Sequence, residues 1–277
     1  MIARHRIVKT AAALFLAAGL AAARGAAPAG PGGDAAAPQK KASKKLPDEK
    51  DPKAQYERGV VALRYGLTDE AIRYGERAVE LDASLFDGWN LLGSAYYAKS
   101  EFARSAEAYE KAAALRPAEA GIQKGLGLAY LELGEFEKAE AALKKAIAAE
   151  DDSESAFQLG KLCYNAKRFD EALAYALSAI RKDGRSARAY NLKGVTLNQL
   201  GRYPEAAGSF QAGLVLAPDD VGLSINLGIA YLNSGEPAKA KAVFEAVLPK
   251  IDEDRLRGQV EDYIKSIKDR FVPGPRV

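Results

Sequence analysis

One glycine returns at nearly constant intervals: Gly59, Gly93, Gly127, Gly160, Gly194 and Gly228 lie 34, 34, 33, 34 and 34 residues apart. Its surroundings return with it. Leu92-Gly93, Ala95-Tyr96 and Glu101-Phe102 recur as Leu126-Gly127, Ala129-Tyr130 and Glu135-Phe136. A fixed period of this size predicts an array whose units are each too small to bury their own apolar face and bury it against the next copy. A length of 277 residues alone predicts about two domains; the repetition predicts one quasi-linear body instead.

A Gly inside a helix costs about 1 kcal/mol relative to Ala, so each marker needs a compensating reason. Close approach of a second helix supplies it, because a small residue follows twelve positions on: Ala71, Ser105, Ala139, Ala172, Ala206 and Ala240. Between the two comes a turn signal, Gly66, Gly134, Gly201 or Gly235, with Ser100 and Lys167 in the remaining copies. Glycine ends helices by adopting the left-handed conformation. Each unit therefore reads as helix A, tight turn, helix B. Aromatic residues after the turn (Phe102, Phe136, Phe169, Tyr203) and four after the small partner (Tyr109, Phe210, Phe244) are expected to fill the space between units. Pro117 and Pro218 end helix B in two copies.

The stretch WNLLGSAYY at 89–97 resembles the signature of the tetratricopeptide repeat (TPR) family. Trp89, Leu92, Gly93, Tyr96, Phe102, Tyr109, Ala112 and Pro117 fall on the family's signature positions. The resemblance covers six units, at 52–85, 86–119, 120–152, 153–186, 187–220 and 221–254. It implies an all-α fold, a right-handed α-solenoid of six TPR helix-turn-helix units whose A helices line a concave groove. The end copies depart from the pattern: Thr68 and Pro237 stand where the aromatic is expected, as suits terminal units. Residues 255–277 are expected to form a capping helix and tail, with Leu256, Val260, Ile264 and Ile267 on one face.

The first 23 residues read as an export signal: Arg4, His5, Arg6 and Lys9 precede the apolar run 10–23, and the small residues Ala21 and Ala23 suit cleavage. The run is short of the ~20 residues of a spanning helix, and no Cys follows it to carry a lipid. Cleavage would remove the single His and three of the 40 basic residues, leaving 37 against 37 acidic ones. Residues 24–51, rich in Pro, Gly, Ala and Lys, read as a disordered linker with too little to bury. The expected location is periplasmic or cell envelope; the alternative is a protein tethered by an uncleaved signal.

Once cleavage removes His5, no Ser-His-Asp, Cys-His or His-metal arrangement is expected. Cys163 occupies the register position of Tyr96 and Tyr130, so it reads as core. Gly125-Leu-Gly127 lies inside a helix A with no preceding strand, unlike a phosphate loop. The acidic runs 150–154 and 252–255 fall at helix junctions, where the dipole favours carboxylates. No catalytic residue, metal or cofactor is assigned, and a near-neutral body argues against nucleic acid.

What remains is a surface. Helix A positions three before, one after and four after each marker are expected to face the groove. They are Asn90, Ser94 and Tyr97; Lys124, Leu128 and Leu131; Phe157, Lys161 and Tyr164; Asn191, Val195 and Asn198; and Ile225, Ile229 and Leu232. Asn amides both donate and accept, so they suit an extended peptide backbone. The expected function is a non-enzymatic protein–protein interaction scaffold of the bacterial cell envelope. It would bind a partner segment and assist assembly of a pilus, secretion or outer-membrane machine; the alternative is a docking subunit of an envelope enzyme.

Overall fold

The computed structural model describes residues 50–150 and 152–271. The expected export signal, nearly all of the linker and the tail beyond 271 lie outside those residues. Thirteen α-helices occupy the described chain: α1 Pro52–Arg64, α2 Thr68–Leu81, α3 Phe86–Ala98, α4 Phe102–Leu115, α5 Ala120–Leu133, α6 Phe136–Ala149, α7 Ser153–Asn165, α8 Phe169–Lys182, α9 Ala187–Gln199, α10 Tyr203–Leu216, α11 Val221–Asn233, α12 Pro237–Val247 and α13 Asp254–Phe271. A 3-10 turn, Leu248–Lys250, separates the last two. The fold is all-α, a helical-repeat solenoid.

Caps and turns explain the boundaries. Asp51 accepts from the Lys53 amide at 2.9 Å and Pro52 takes the first helical position of α1, where a missing N–H costs nothing. Asp152, in one predicted acidic run, caps α7 by accepting from the amides of Glu154 and Ser155 at 3.0 and 3.2 Å. All of the expected turn residues are left-handed: Gly66, Gly134, Gly201 and Gly235 have φ of 74–82°, and Ser100 and Lys167 have 63° and 61°. Ser100 and Lys167 keep the hydrogen bonds of the glycine turns. Glu101 N donates to Tyr96 O at 2.9 Å just as Glu135 N does to Tyr130 O at 2.9 Å.

The chain forms two compact units that divide inside α7, between Leu159 and Gly160. In the N-terminal unit the core runs through Ala62, Ile72, Leu92 and Tyr96, then through Phe86, Tyr109, Ile122 and Tyr130. Tyr109 fills the space between repeats as expected and does one thing more. Its ring lies over its own marker, with a Cβ on Gly93 meeting it at 2.6 Å, and over Gly125 of the next copy at 2.5 Å. Both positions must stay bare for the ring to fit. In the C-terminal unit Ile225, Ile229, Phe244, Val247 and Ile251 pack with Val260, Ile264 and Ile267 of α13, so α13 covers the last repeat. Cys163 is buried beside Arg168, whose Nη2 lies 2.8 Å from Sγ.

A tyrosine three residues after the marker joins neighbouring helices in a repeated way. Tyr96 Oη donates to Glu76 at 2.7 Å, while Arg104 donates to both and lies 4.1 Å from the ring centroid. Tyr130 donates to Glu110 beneath Lys138, and Gln211 donates to Tyr231 beneath Lys239. Burial, then the bond to a carboxylate, holds the Tyr96 and Tyr130 phenols well above the ordinary value near 10. The unfolded chain loses these protons above about pH 10 while the folded chain keeps them, so the stability present below that pH is lost as pH rises through the folded values. In alkaline titration followed by helical signal, the Tyr96→Phe plus Tyr130→Phe protein should lose less stability per pH unit above about 10 than wild type. Equal slopes would show that these phenols do not carry the effect.

Candidate functional site

The first helices of the repeats present the positions singled out from the sequence, in two separate sets. In the N-terminal unit Asn90, Ser94, Tyr97, Lys124, Leu128 and Leu131 are all half-buried. Ser94 Oγ lies 3.0 Å from Tyr109 Oη. Tyr97 meets Phe102 edge-on at 5.4 Å, and burial, then Glu132, raises its phenol's pKa. Lys124 reaches Asp152 at 3.6 Å. Phe157, on the same unit's part of α7, is only 6% exposed.

In the C-terminal unit Lys161, Asn191 and Asn198 are half-buried. Asn191 Oδ1 accepts from Asn226 Nδ2 at 2.9 Å. Tyr164, 7% exposed, accepts from Gln199 at 3.4 Å and repeats the Tyr97 arrangement against Phe169 at 5.6 Å. The Asn198 side-chain oxygen is buried with no hydrogen-bond partner among the described residues, a state that costs about 1–3 kcal/mol unless a donor arrives. Val195 is 1% exposed, and Ile225 and Ile229 are also buried. These three are corrections: apolar burial stabilises by about 25 cal/mol per Å², and packing, under α13 for the two Ile, takes them from any partner.

The register applied to the first copy finds what the sequence reading passed over. Three before, one after and four after Gly59 stand Tyr56, Val60 and Leu63. With Arg64, Asn90, Leu91 and Ser94 they line a pocket of about 300 Å³ between α1 and α3. Among the described residues no group of His, Cys, Asp and Glu is arranged to hold a metal ion. No described helix is long and apolar enough to cross a membrane.

Two family models described as tetratricopeptide repeat match the chain, one at 90–156 and again at 157–221, the other at 197–259. The chain belongs to the tetratricopeptide repeat family, whose domains bind protein partners. It is similar to a TPR repeat-containing protein of Methanocaldococcus jannaschii, 25% identical over 235 residues that make up 80% of this chain and 41% of the other. It is also similar to the type IV pilus assembly protein PilF of Pseudomonas aeruginosa, 33% identical over 132 residues, 44% of this chain and 50% of that one. The chain thus spans half or less of these relatives. The solved PilF structure superposes with a TM-score of 0.65 at 17% identity, covering 78% of this chain and 98% of that one. YrrB, described as a TPR protein with an unusual peptide-binding site, gives 0.61 at 20% identity, covering 68% and 97%. At such identities these structures establish the fold.

Proposed function

We propose that this protein is a non-enzymatic scaffold of the cell envelope, holding an extended segment of a protein partner against the first-helix faces of its repeats. The observation that carries this reading is the buried side-chain oxygen of Asn198, a predicted groove position, which has no hydrogen-bond partner among the described residues. An N–H donor from a peptide backbone would relieve its cost. The half-buried Asn90, Ser94 and Tyr97 offer the same mixture of amide, hydroxyl and ring in the other unit. Envelope location is supported by the basic, then apolar, then small-residue pattern of 1–23, and assembly work by the similarity to PilF.

Site-specific photo-crosslinking in cells that express the protein natively tests both parts. A photoreactive residue at position 97 or 198 should capture one discrete partner in the envelope fraction, and the same probe at Glu107, exposed on α4, should not. Adducts from Glu107 alone, or adducts recovered only from cytosol, would refute the reading.

A further inference from the structure

We propose that the pocket between α1 and α3 receives a glutamate side chain from the partner segment, its carboxylate on the Arg64 guanidinium and its two methylenes on Val60, Leu63 and Leu91. The proposal rests on the reading of the first-helix faces as a segment-binding surface, and adds the chemistry of the segment. Arg64 is exposed at the end of α1 and makes no hydrogen bond or ion pair among the described residues. Several other cations of the same unit are engaged: Lys99 with Asp69 and Glu101, Arg104 with Glu76 and Glu101, Lys138 with Glu135. No carboxylate lines the pocket. Burial first, then Asp87 and Glu57, raises the pKa of the Tyr56 phenol; neither carboxylate is a lining residue.

A guanidinium is a fork of N–H donors matched to a carboxylate. The Asn90 amide and the Tyr56 hydroxyl, which make no side-chain hydrogen bond among the described residues, add donors from α3 and α1. The floor is apolar, so the occupant needs a short hydrocarbon stem beneath its charge. At about 300 Å³ the pocket stands at the small end of ligand sites and has room for a Glu side chain together with adjoining parts of the segment. Glu brings stem and carboxylate together, with one more methylene than Asp to lay on that floor. A side chain is favoured over a chain end because the register positions continue past the pocket to Tyr97, Lys124 and Leu131, where a segment would run on.

The test titrates the full chain with three probes: blocked acetyl-Val-Glu-Val-amide, its Gln counterpart, and acetyl-Val-Ala-Val with a free carboxyl end. The readout is the chemical shift of the Asn90 side-chain amide and the Arg64 Nε–H. The Glu probe should shift both saturably, with the Gln probe about tenfold or more weaker. Arg64→Gln should weaken the Glu probe to the same degree, read at Asn90 with the melting temperature unchanged, since Arg64 is exposed. Arg64→Lys should fall between, keeping charge and losing the fork. Equal binding of Glu and Gln probes, no shift at either group, or a response to the free carboxyl end alone would each overturn the proposal. If the crosslinks at 97 and 198 persist while the Glu probe fails, the glutamate pocket falls and segment binding stands. Loss of those crosslinks with the Glu response intact would do the reverse.

Discussion

Replacing Phe244 by Ala is expected to cost about 3–5 kcal/mol of unfolding free energy, as for other fully buried aromatic rings. The ring is 0% exposed. One edge fills the bare surface of Gly228, where a Cβ would stand 2.4 Å from Cε1. One face stacks on Tyr263 of α13 at 5.2 Å and 9°. Removing it opens a cavity with the last repeat on one side and the capping helix on the other, and helix packing offers no easy collapse. Because a solenoid's stability is a sum over neighbouring repeats, the damage should concentrate at that end. Amide exchange should accelerate across 254–267 before it does in α1–α4, and the denaturation midpoint should fall. An unchanged midpoint would show that the ring does not join α13 to the repeat.

The parts of this fold legible in the sequence are those that constrain backbone. A left-handed turn residue must appear once per period, so even Ser100 and Lys167, which carry a Cβ, were marked by position and take φ near 60°. The surrounding repeat over-determines the conformation and offsets its cost. What lies over each marker glycine was not legible. Spacing predicted a small residue of helix B there, and Ala or Ser is indeed buried close by. At four markers the atoms nearest a built Cβ, however, belong to the large residue four further on, Tyr109, Leu143, Phe210 or Phe244, and at Gly59 and Gly160 they belong to Leu91 and Leu192 of the next repeat. Sequence spacing fixes the face of a helix, while the rotamer decides which neighbour a side chain overlies.

The candidate site divides along the same line. Counting from Gly59 places Tyr56, Val60 and Leu63 beside Asn90 and Ser94, so those three were available from the register and needed only its extension by one copy. Arg64 lies one residue outside the register, and its lack of a partner depends on where nearby carboxylates settle. Val195 and Ile229 show the opposite limit. They share a register position with Ser94, Leu128 and Lys161, yet apolar side chains at that position are drawn inward wherever the neighbouring packing accepts them. A periodic pattern names a stripe of a helix; burial along that stripe is a competition between core and solvent, decided by each side chain.

Gly127 and Leu143 should each be intolerant of change yet partly rescue one another. A Cβ on Gly127 would stand 2.5 Å from Leu143 Cγ and 2.7 Å from Cδ2, closer than real Cβ contacts come. Leu143 is fully buried, so it cannot swing into solvent, and Gly127→Ala should cost about 1–3 kcal/mol by overpacking. Leu143→Ala should cost about 2–5 kcal/mol through the cavity it leaves. In the double variant the new methyl enters that cavity, so the total should fall short of the sum by about 0.5–3 kcal/mol. Gly134→Ala supplies the contrast. Nothing lies within 4 Å of a Cβ there, and φ is 75°, so its cost of about 1 kcal/mol is backbone strain. That cost should be the same with or without Leu143. Chemical denaturation of the five variants decides the matter: additivity at Gly127, or rescue of Gly134→Ala by Leu143→Ala, would mean that core and turn glycines have been assigned the wrong way round.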